Sequence, residues 1–332
     1  MIIPIKIEDK EYNIIIEKDA IKNASKYIEF SSNTLIVYDD KINPIYLDFF
    51  KDSSKNIFFI KLNVSEQAKS ILNYQKIITF LLENNFSKSD LLIAFGGGVI
   101  GDLVGFCAST YKRGCRFINI PTTTLSMIDS SIGGKTALNV NNVKNAIGSY
   151  YQPEKVIIDI NVLSTLSKRQ FNNGLVEGLK AGLIGDQSLF EIFKNQEYVK
   201  RLEEVIEKSI MVKKKIVEVD PYDNSIRKTL NFGHTIGHAI ESIHMGEVYH
   251  GEAVACGMMY MLGNHLKESV FHILEKMNID VNHKEDSEQI YKLILNDKKY
   301  NDNRISIIRV NEIEKAFIEN VNMEEIYKIL LK

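Results

Sequence analysis

Four of the seven histidines in this chain fall between residues 234 and 250: His234, His238, His244 and His250. In LNFGHTIGHAIES, His234 and His238 are four apart, which puts both imidazoles on one face of a helix. Two imidazoles begin a divalent metal site, but catalysis needs a further ligand and open positions for water or substrate. A zincin would carry HExxH, with glutamate after the first histidine as general base. Thr235 stands there instead, so metalloprotease chemistry is excluded. His250 opens a second helical segment, HGEAVACGM, that could return to the same spot. Glu177, in NGLVEGLKAG, lies among small and apolar residues where an unpaired charge is costly, and it is the best carboxylate to complete the shell. For any single histidine, a hydrogen-bonded structural role is the alternative. His265, His272 and His283 follow no pattern.

Two further segments could bind anions. In LLIAFGGGVIGDLVGF a buried strand ends at Phe95, Gly96, Gly97 and Gly98 turn the chain, and a helix begins near Val99. Glycines let a ligand approach the backbone, and the free N–H groups and positive end of the helix suit a pyrophosphate. Asp102, expected in the first helical turn, would favour the dipole or hold a ligand hydroxyl. The pattern is not GxGxxG and does not follow the first strand, so a tight turn without ligand is the other reading. Asp39 and Asp40, at the end of an earlier strand, suit an adenosine ribose or a turn and helix cap. Between Tyr111 and Tyr150, Gly133 and Gly134 precede Lys135, and Lys144 and Asn145 follow an Asn-rich turn. These make a plausible anion pocket. The spacing is not that of a Walker motif, and a solvated loop of this length is improbable inside a compact domain.

The elements that must carry these residues divide the chain in two. Residues 10–17, 33–40, 55–62, 90–95, 116–121 and 155–160 read as strands, with helix between several of them, notably around Glu66–Asn85. Such alternation predicts an α/β layer with a largely parallel sheet. After about Leu166, long amphipathic segments take over at 168–184, 187–219, 229–243 and 250–277, with a strand-like RISIIRV at 304–310. The change of periodicity predicts domains at 1–166 and 167–332. MIIPIKIEDKEYNIII reads as a strand pair, not a signal peptide. Forty-one basic and 43 acidic residues leave a net charge of −2, so no nucleic-acid partner is expected. No apolar run reaches the ~20 residues of a membrane span. Three scattered cysteines without CxxC spacing argue against disulfides and zinc-thiolate sites. A cytoplasmic enzyme is the expectation.

Taken together the motifs resemble the 3-dehydroquinate synthases, over most of the chain. The resemblance is carried by GGGVIGDLVGFCASTYKRG, IPTTTLSMIDSSIGGKTALN, KNAIGSYYQPEKVIID, NGLVEGLKAG, LNFGHTIGHAIE and HGEAVACGM, in that order. It implies an α/β N-terminal Rossmann-like domain that binds NAD and a mostly α-helical C-terminal domain that binds metal. An active site in the cleft between them and a homodimer are also implied. The implied ligands of a zinc or cobalt ion are Glu177, His234 and His250, with His238 moved to a substrate-side acid–base role. NAD would be held by Gly97, Gly98, Val99, Asp102, Thr122 and Thr123, assisted by Asp39, Glu66, Lys69, Lys135 and Lys144. Substrate contacts map onto Asp129, Lys135, Lys144, Asn145, Lys180, Lys213, Arg227, Asn231 and His238. The phosphate would meet Arg113, Lys135, Asn145 and one of Lys298 and Lys299.

The implied reaction converts 3-deoxy-D-arabino-heptulosonate 7-phosphate to 3-dehydroquinate and phosphate. It proceeds by transient oxidation, phosphate elimination, reduction and intramolecular aldol closure. Val143, Asp223 and Ser225 depart from the usual pattern, and Asp223 stands where a catalytic acid is commonly found. Other sugar-phosphate cyclases, such as 2-deoxy-scyllo-inosose synthase, are the nearest alternative. Arg227 and Asn231 favour a substrate with a carboxylate, which a planar guanidinium clasps better than lysine. Metal-dependent polyol dehydrogenases and an inactive binding protein are more distant readings.

Overall fold

Strands form where the sequence alternates or runs apolar, and seven of them make one sheet. They are β1 (Ile2–Ile7), β2 (Lys10–Ile16), β3 (Asn33–Asp39), β4 (Asn56–Leu62), β5 (Leu91–Gly96), β6 (Arg116–Pro121) and, after the hairpin β7 (Lys135–Val140) and β8 (Val143–Tyr150), β9 (Lys155–Ile158). The computed structural model describes residues 1–51, 55–141, 143–244, 246–282, 286–297 and 304–331. Its two compact units are Met1–Ser167 and Lys168–Lys332. In the first unit the sheet order is β1-β2-β9-β6-β5-β3-β4, antiparallel only between β1 and β2. β5 is buried along its whole length, as expected of a strand covered on both faces. Leu35, Val37, Leu92, Ala94, Leu103 and Phe117 belong to the core between sheet and helices.

The order of connection places a crevice. From β3 the chain goes outward to β4, then crosses to β5 on the other side of β3. That reversal is a topological switch point, where open α/β sheets bind ligands beyond the carboxyl ends of their strands. Asp39 ends β3 and Gly96 ends β5, so the predicted acid and the glycine turn flank it. The helix Gly98–Thr110 begins at the turn, with Gly97 at its N-cap. Asp102 therefore lies beyond the first turn, a correction to the expected position.

The polar stretch before Tyr150 ends in a hairpin and not in a solvated loop: β7 and β8 pair antiparallel, Lys135 opposite Tyr150. The strand β8 is exposed along nearly all its length, so it shows no inside–outside alternation to betray it. Gly105 lets this hairpin approach the helix, since a Cβ there would lie 2.5 Å from Thr136 Cγ2.

In the second unit the expected helical segments are present but broken. Residues 187–219 form Gln187–Lys194 and Leu202–Val219. Gln196 ends the first at φ +59, with Glu197 N–H donating back to Ile192 O at 2.9 Å. The segment at 250–277 splits into His250–Met261 and Asn264–Lys276, because Leu262 bridges to Val310 and Gly263 N–H donates to Val310 O. Val310 ends β10 (Arg304–Val310), which pairs with β11 (Ala316–Asn322). The segment at 229–243 begins as a 3-10 turn, Ile226–Asn231, and becomes α-helix only at His234. Lys168–Gly185 is one helix. Among the described residues no helix is long and apolar enough to cross a membrane.

Candidate active site

Three helices of the second unit bring Glu177, His234 and His250 together. Glu177 lies mid-helix in Lys168–Gly185, and each histidine opens its own helix. One ligand atom from each lies within 4.8 Å of the others. Nε2 of His234 and Nε2 of His250 stand 3.8 and 3.7 Å from Glu177 Oε1. The Glu177 side chain is 1% exposed, and among the described residues neither of its oxygens makes a hydrogen bond of good geometry. Its ion partner is the buried ammonium of Lys180. A buried carboxylate without such hydrogen bonds, facing two imidazole nitrogens, fits a divalent cation of the zinc or cobalt kind.

The three groups set one another's charge. Burial would raise the Glu177 carboxyl, but the Lys180 ammonium and the two imidazoles hold it well below the usual carboxylate range. Burial and the Lys180 charge keep His234 well below the ordinary imidazole value, so it is neutral and able to donate a lone pair. Burial opposes the charge on His250, yet Glu177 and Glu241 raise it to about 9.

Glycines set the approach of the two histidine helices. Gly233 has φ +81, and a Cβ on Gly257 would fall 1.9 Å from Gly233 O. On Gly237 it would fall 2.8 Å from Ala253 O. The first turn carrying His250 is held from outside: Glu252 accepts the Tyr249 N–H at 2.8 Å and a two-pronged contact from Arg169 at 2.7 Å.

His238 is exposed one turn beyond His234, their rings 5.1 Å apart. Lys180 and Lys213 are buried cations of this unit, and Asn231 is exposed at the end of the 3-10 turn. Arg227 is buried and donates to Pro221 O. Its loop is built on Asp220, whose carboxylate accepts N–H bonds from Asn224, Ser225 and Arg227 at 3.0, 2.6 and 3.0 Å. Asp223 sits in that loop at φ +64. Burial would raise the Asp220 carboxyl, but these donors hold it far below the usual range. A depressed folded pKa adds stability above the unfolded value of roughly 4 and loses it as pH falls through the folded value. Asp220→Asn is therefore expected to cost about 1–3 kcal/mol at neutral pH. In urea unfolding followed from pH 7 down to pH 3, the gap to wild type should narrow with acidity. A gap independent of pH would remove the carboxylate from this role.

In the first unit another group forms. Lys69, buried, binds Asp102 Oδ2 at 2.6 Å and Asn145 Oδ1, and lies 3.7 Å from Glu66. Asn139 ties the set together, donating to Glu66 Oε1 at 2.8 Å and accepting the Asn145 N–H at 2.8 Å. Glu66, Lys69, Asp102 and Asn145 thus share one network. Gly97 and Gly98 pack against the loop after β6: added Cβ atoms would meet Thr123 Cγ2 at 3.0 Å and Ser130 Oγ at 2.9 Å. Val99 follows in the first helical turn, and Thr122 N–H donates to Gly96 O at 3.0 Å. Asp39 accepts the Lys41 N–H at 2.9 Å, and burial raises its carboxyl. Lys135 and Lys144 are exposed on the hairpin, Asp129 is half-buried in a π-helical turn, and Arg113 is exposed at φ +62. Lys298 and Lys299 lie outside the described residues.

Residues 59–173 match the 3-dehydroquinate synthase N-terminal domain, and residues 174–300 match the C-terminal domain. A 3-dehydroquinate synthase of Clostridium tetani is 38% identical over 97% of this chain and 92% of its own length. The chain belongs to the 3-dehydroquinate synthase family. It is a family of enzymes, NAD- and metal-dependent cyclases. Solved structures share the fold. A 2-deoxy-scyllo-inosose synthase, complexed with carbaglucose-6-phosphate, NAD+ and Co2+, superposes with a TM-score of 0.90 at 24% identity, covering 99% of both chains. The 2-epi-5-epi-valiolone synthase of Streptomyces hygroscopicus subsp. jinggangensis 5008, with NAD+ and Zn2+ bound, gives 0.87 at 24% identity, covering 98% of this chain and 97% of its own.

Reading the residues alone misses several members of the site. Asn139 carries no signal beyond its place in a polar stretch. Glu241 does carry one, as the third position of a stripe with His234 and His238 on one helix face. Gly233, Gly237 and Gly257 are visible only as glycines inside helical segments, which signal close packing.

Proposed function

We propose that this chain is a 3-dehydroquinate synthase, converting 3-deoxy-D-arabino-heptulosonate 7-phosphate to 3-dehydroquinate and phosphate. The observation that carries this within the family is the buried Glu177 carboxylate facing Nε2 of His234 and His250. NAD at the glycine turn would supply reversible hydride acceptance, and a divalent ion on Glu177, His234 and His250 a Lewis acid at a substrate hydroxyl.

The chain's own groups do the rest by position and charge. Gly97, Gly98 and Val99 offer a helix N-terminus to a pyrophosphate beside the switch point, with Asp39 placed for a ribose. Thr122 and Thr123 line the same turn, and Asp102, Glu66 and Lys69 are further NAD contacts. Arg113 and Lys135 offer the phosphate cations that stabilise its departure, and Lys144 is a contact of cofactor and substrate. Asn145 also holds the phosphate, and Asp129 contacts the substrate. Arg227 and Asn231 receive the carboxylate, Lys180 and Lys213 hold hydroxyls, and His238 moves a proton at its ring. We also propose a homodimer in the cytoplasm, supported by the resemblance and by three buried free cysteines.

The test supplies NAD and zinc or cobalt with the heptulosonate phosphate, glucose 6-phosphate or glycerol. Phosphate release from the first alone, with no net NADH, is expected. Phosphate from glucose 6-phosphate would assign an inosose-type cyclase, and net NADH from glycerol a dehydrogenase.

A further inference from the structure

The two imidazoles of the centre meet Glu177 alike and are backed differently. Both present Nε2 to Glu177 Oε1, at 3.8 Å for His234 and 3.7 Å for His250. Behind each ring, Nδ1 meets an acceptor 3.1 Å away. For His234 it is the Phe232 carbonyl, and for His250 it is Oε2 of Glu241. An imidazole that donates its Nδ1–H keeps the Nε2 lone pair free for a cation, and an acceptor behind the ring fixes its tautomer and orientation. A carboxylate does more than a carbonyl, because its charge also makes the ring a stronger donor.

We propose that Glu241 is a positioning residue of the metal centre, holding His250 as the Nδ1–H tautomer with Nε2 aimed at the ion. This rests on the metal-centre reading above. Glu241 reaches His250 from another helix: it lies in His234–Ile243, seven residues after His234 and on the same face. Its side chain is 16% exposed, unlike the solvated carboxylates of surface pairs such as Glu288 with Lys292, 61% exposed. One helix therefore provides a ligand, His234, and the support for the ligand of the next helix. His238, Glu241 and His250 also lie close enough to hold an ion among themselves. That geometry gives the competing reading, in which Glu241 is itself a ligand to a second, outer ion.

The experiment compares the full chain with Glu241→Gln and Glu241→Met. Cobalt and zinc affinities are measured by chelator competition, with cobalt stoichiometry and the visible spectrum of the cobalt form. Glu241→Met is expected to weaken binding on the order of 10–100-fold and to shift the cobalt bands. Glu241→Gln, which still accepts from Nδ1–H but carries no charge, should fall between Met and wild type. Thermal unfolding of the metal-free proteins checks that both variants fold, and the near-isosteric Gln keeps the test alive if Met does not. Wild-type affinity and spectrum in both variants would overturn the assignment. So would two cobalt ions per wild-type chain falling to one in both variants. A wild type that binds no cobalt removes the centre itself, an outcome distinct from either.

Discussion

Glu177→Gln is expected to lower cobalt affinity by at least two orders of magnitude, on the scale of a lost ligand, and to take turnover with it. The carboxylate is the only anionic member of the trio, and it faces both imidazole nitrogens. The amide keeps the shape and loses the charge. It also leaves the buried Lys180 ammonium beside two imidazoles with no counter-charge from this position. Breaking a buried pair by removing one partner costs about 3–5 kcal/mol. The metal-free variant should therefore unfold at lower urea than wild type. Glu177→Asp, one methylene shorter, should keep much of that stability while still binding metal weakly. Cobalt titration and urea unfolding of the three proteins read the two effects separately. Wild-type cobalt affinity in Glu177→Gln would take the carboxylate out of the centre.

Much of this was legible in residues, and the part that was not has physical causes. Strand positions in the first half follow from apolar runs, and β5 shows why: a strand buried on both faces must read LLIAFG. β8 escapes because no face of it is buried, leaving no period to detect. The helical half is legible in period but not in its breaks. Leu262 and Gly263 leave the helix to bridge Val310, some fifty residues away in sequence, and local propensity cannot register such a bond. The metal site shows the same limit. Spacing along one helix pairs His234 with His238, since residues four apart share a face. The fold instead faces Nε2 of His234 and of His250 to Glu177, and leaves His238 exposed. Three ligand atoms from three helices are set by how the helices pack, and no period within one helix reports that. The ordered motifs of the family name the trio because they retain a tertiary arrangement that spacing does not contain.

That packing yields the other large effect. Gly257→Ala is expected to destabilise the second unit and to abolish metal binding, though Gly257 is no ligand. A Cβ on Gly257 would stand 1.9 Å from Gly233 O, against 3.4 Å or more for ordinary contact. The obstacle is backbone, so no side chain can swing away. The helices His234–Ile243 and His250–Met261 must part by about 1.5 Å, the difference between those distances. Overpacking of this kind typically costs about 1–3 kcal/mol. The displacement reaches the centre directly, because Gly233 is joined to His234 and His250 opens the other helix. Metal–ligand distances tolerate roughly 0.2 Å, so a shift several times larger separates the two imidazoles beyond a common ion. Gly246→Ala is the control. Gly246 lies in the turn between these two helices, at φ +96 with nothing within 4 Å of an added Cβ. It should lose about 1 kcal/mol from backbone strain alone, with cobalt affinity unchanged. If Gly257→Ala also lost stability but kept wild-type cobalt affinity, the glycine contact would be a matter of folding and not of ligand geometry.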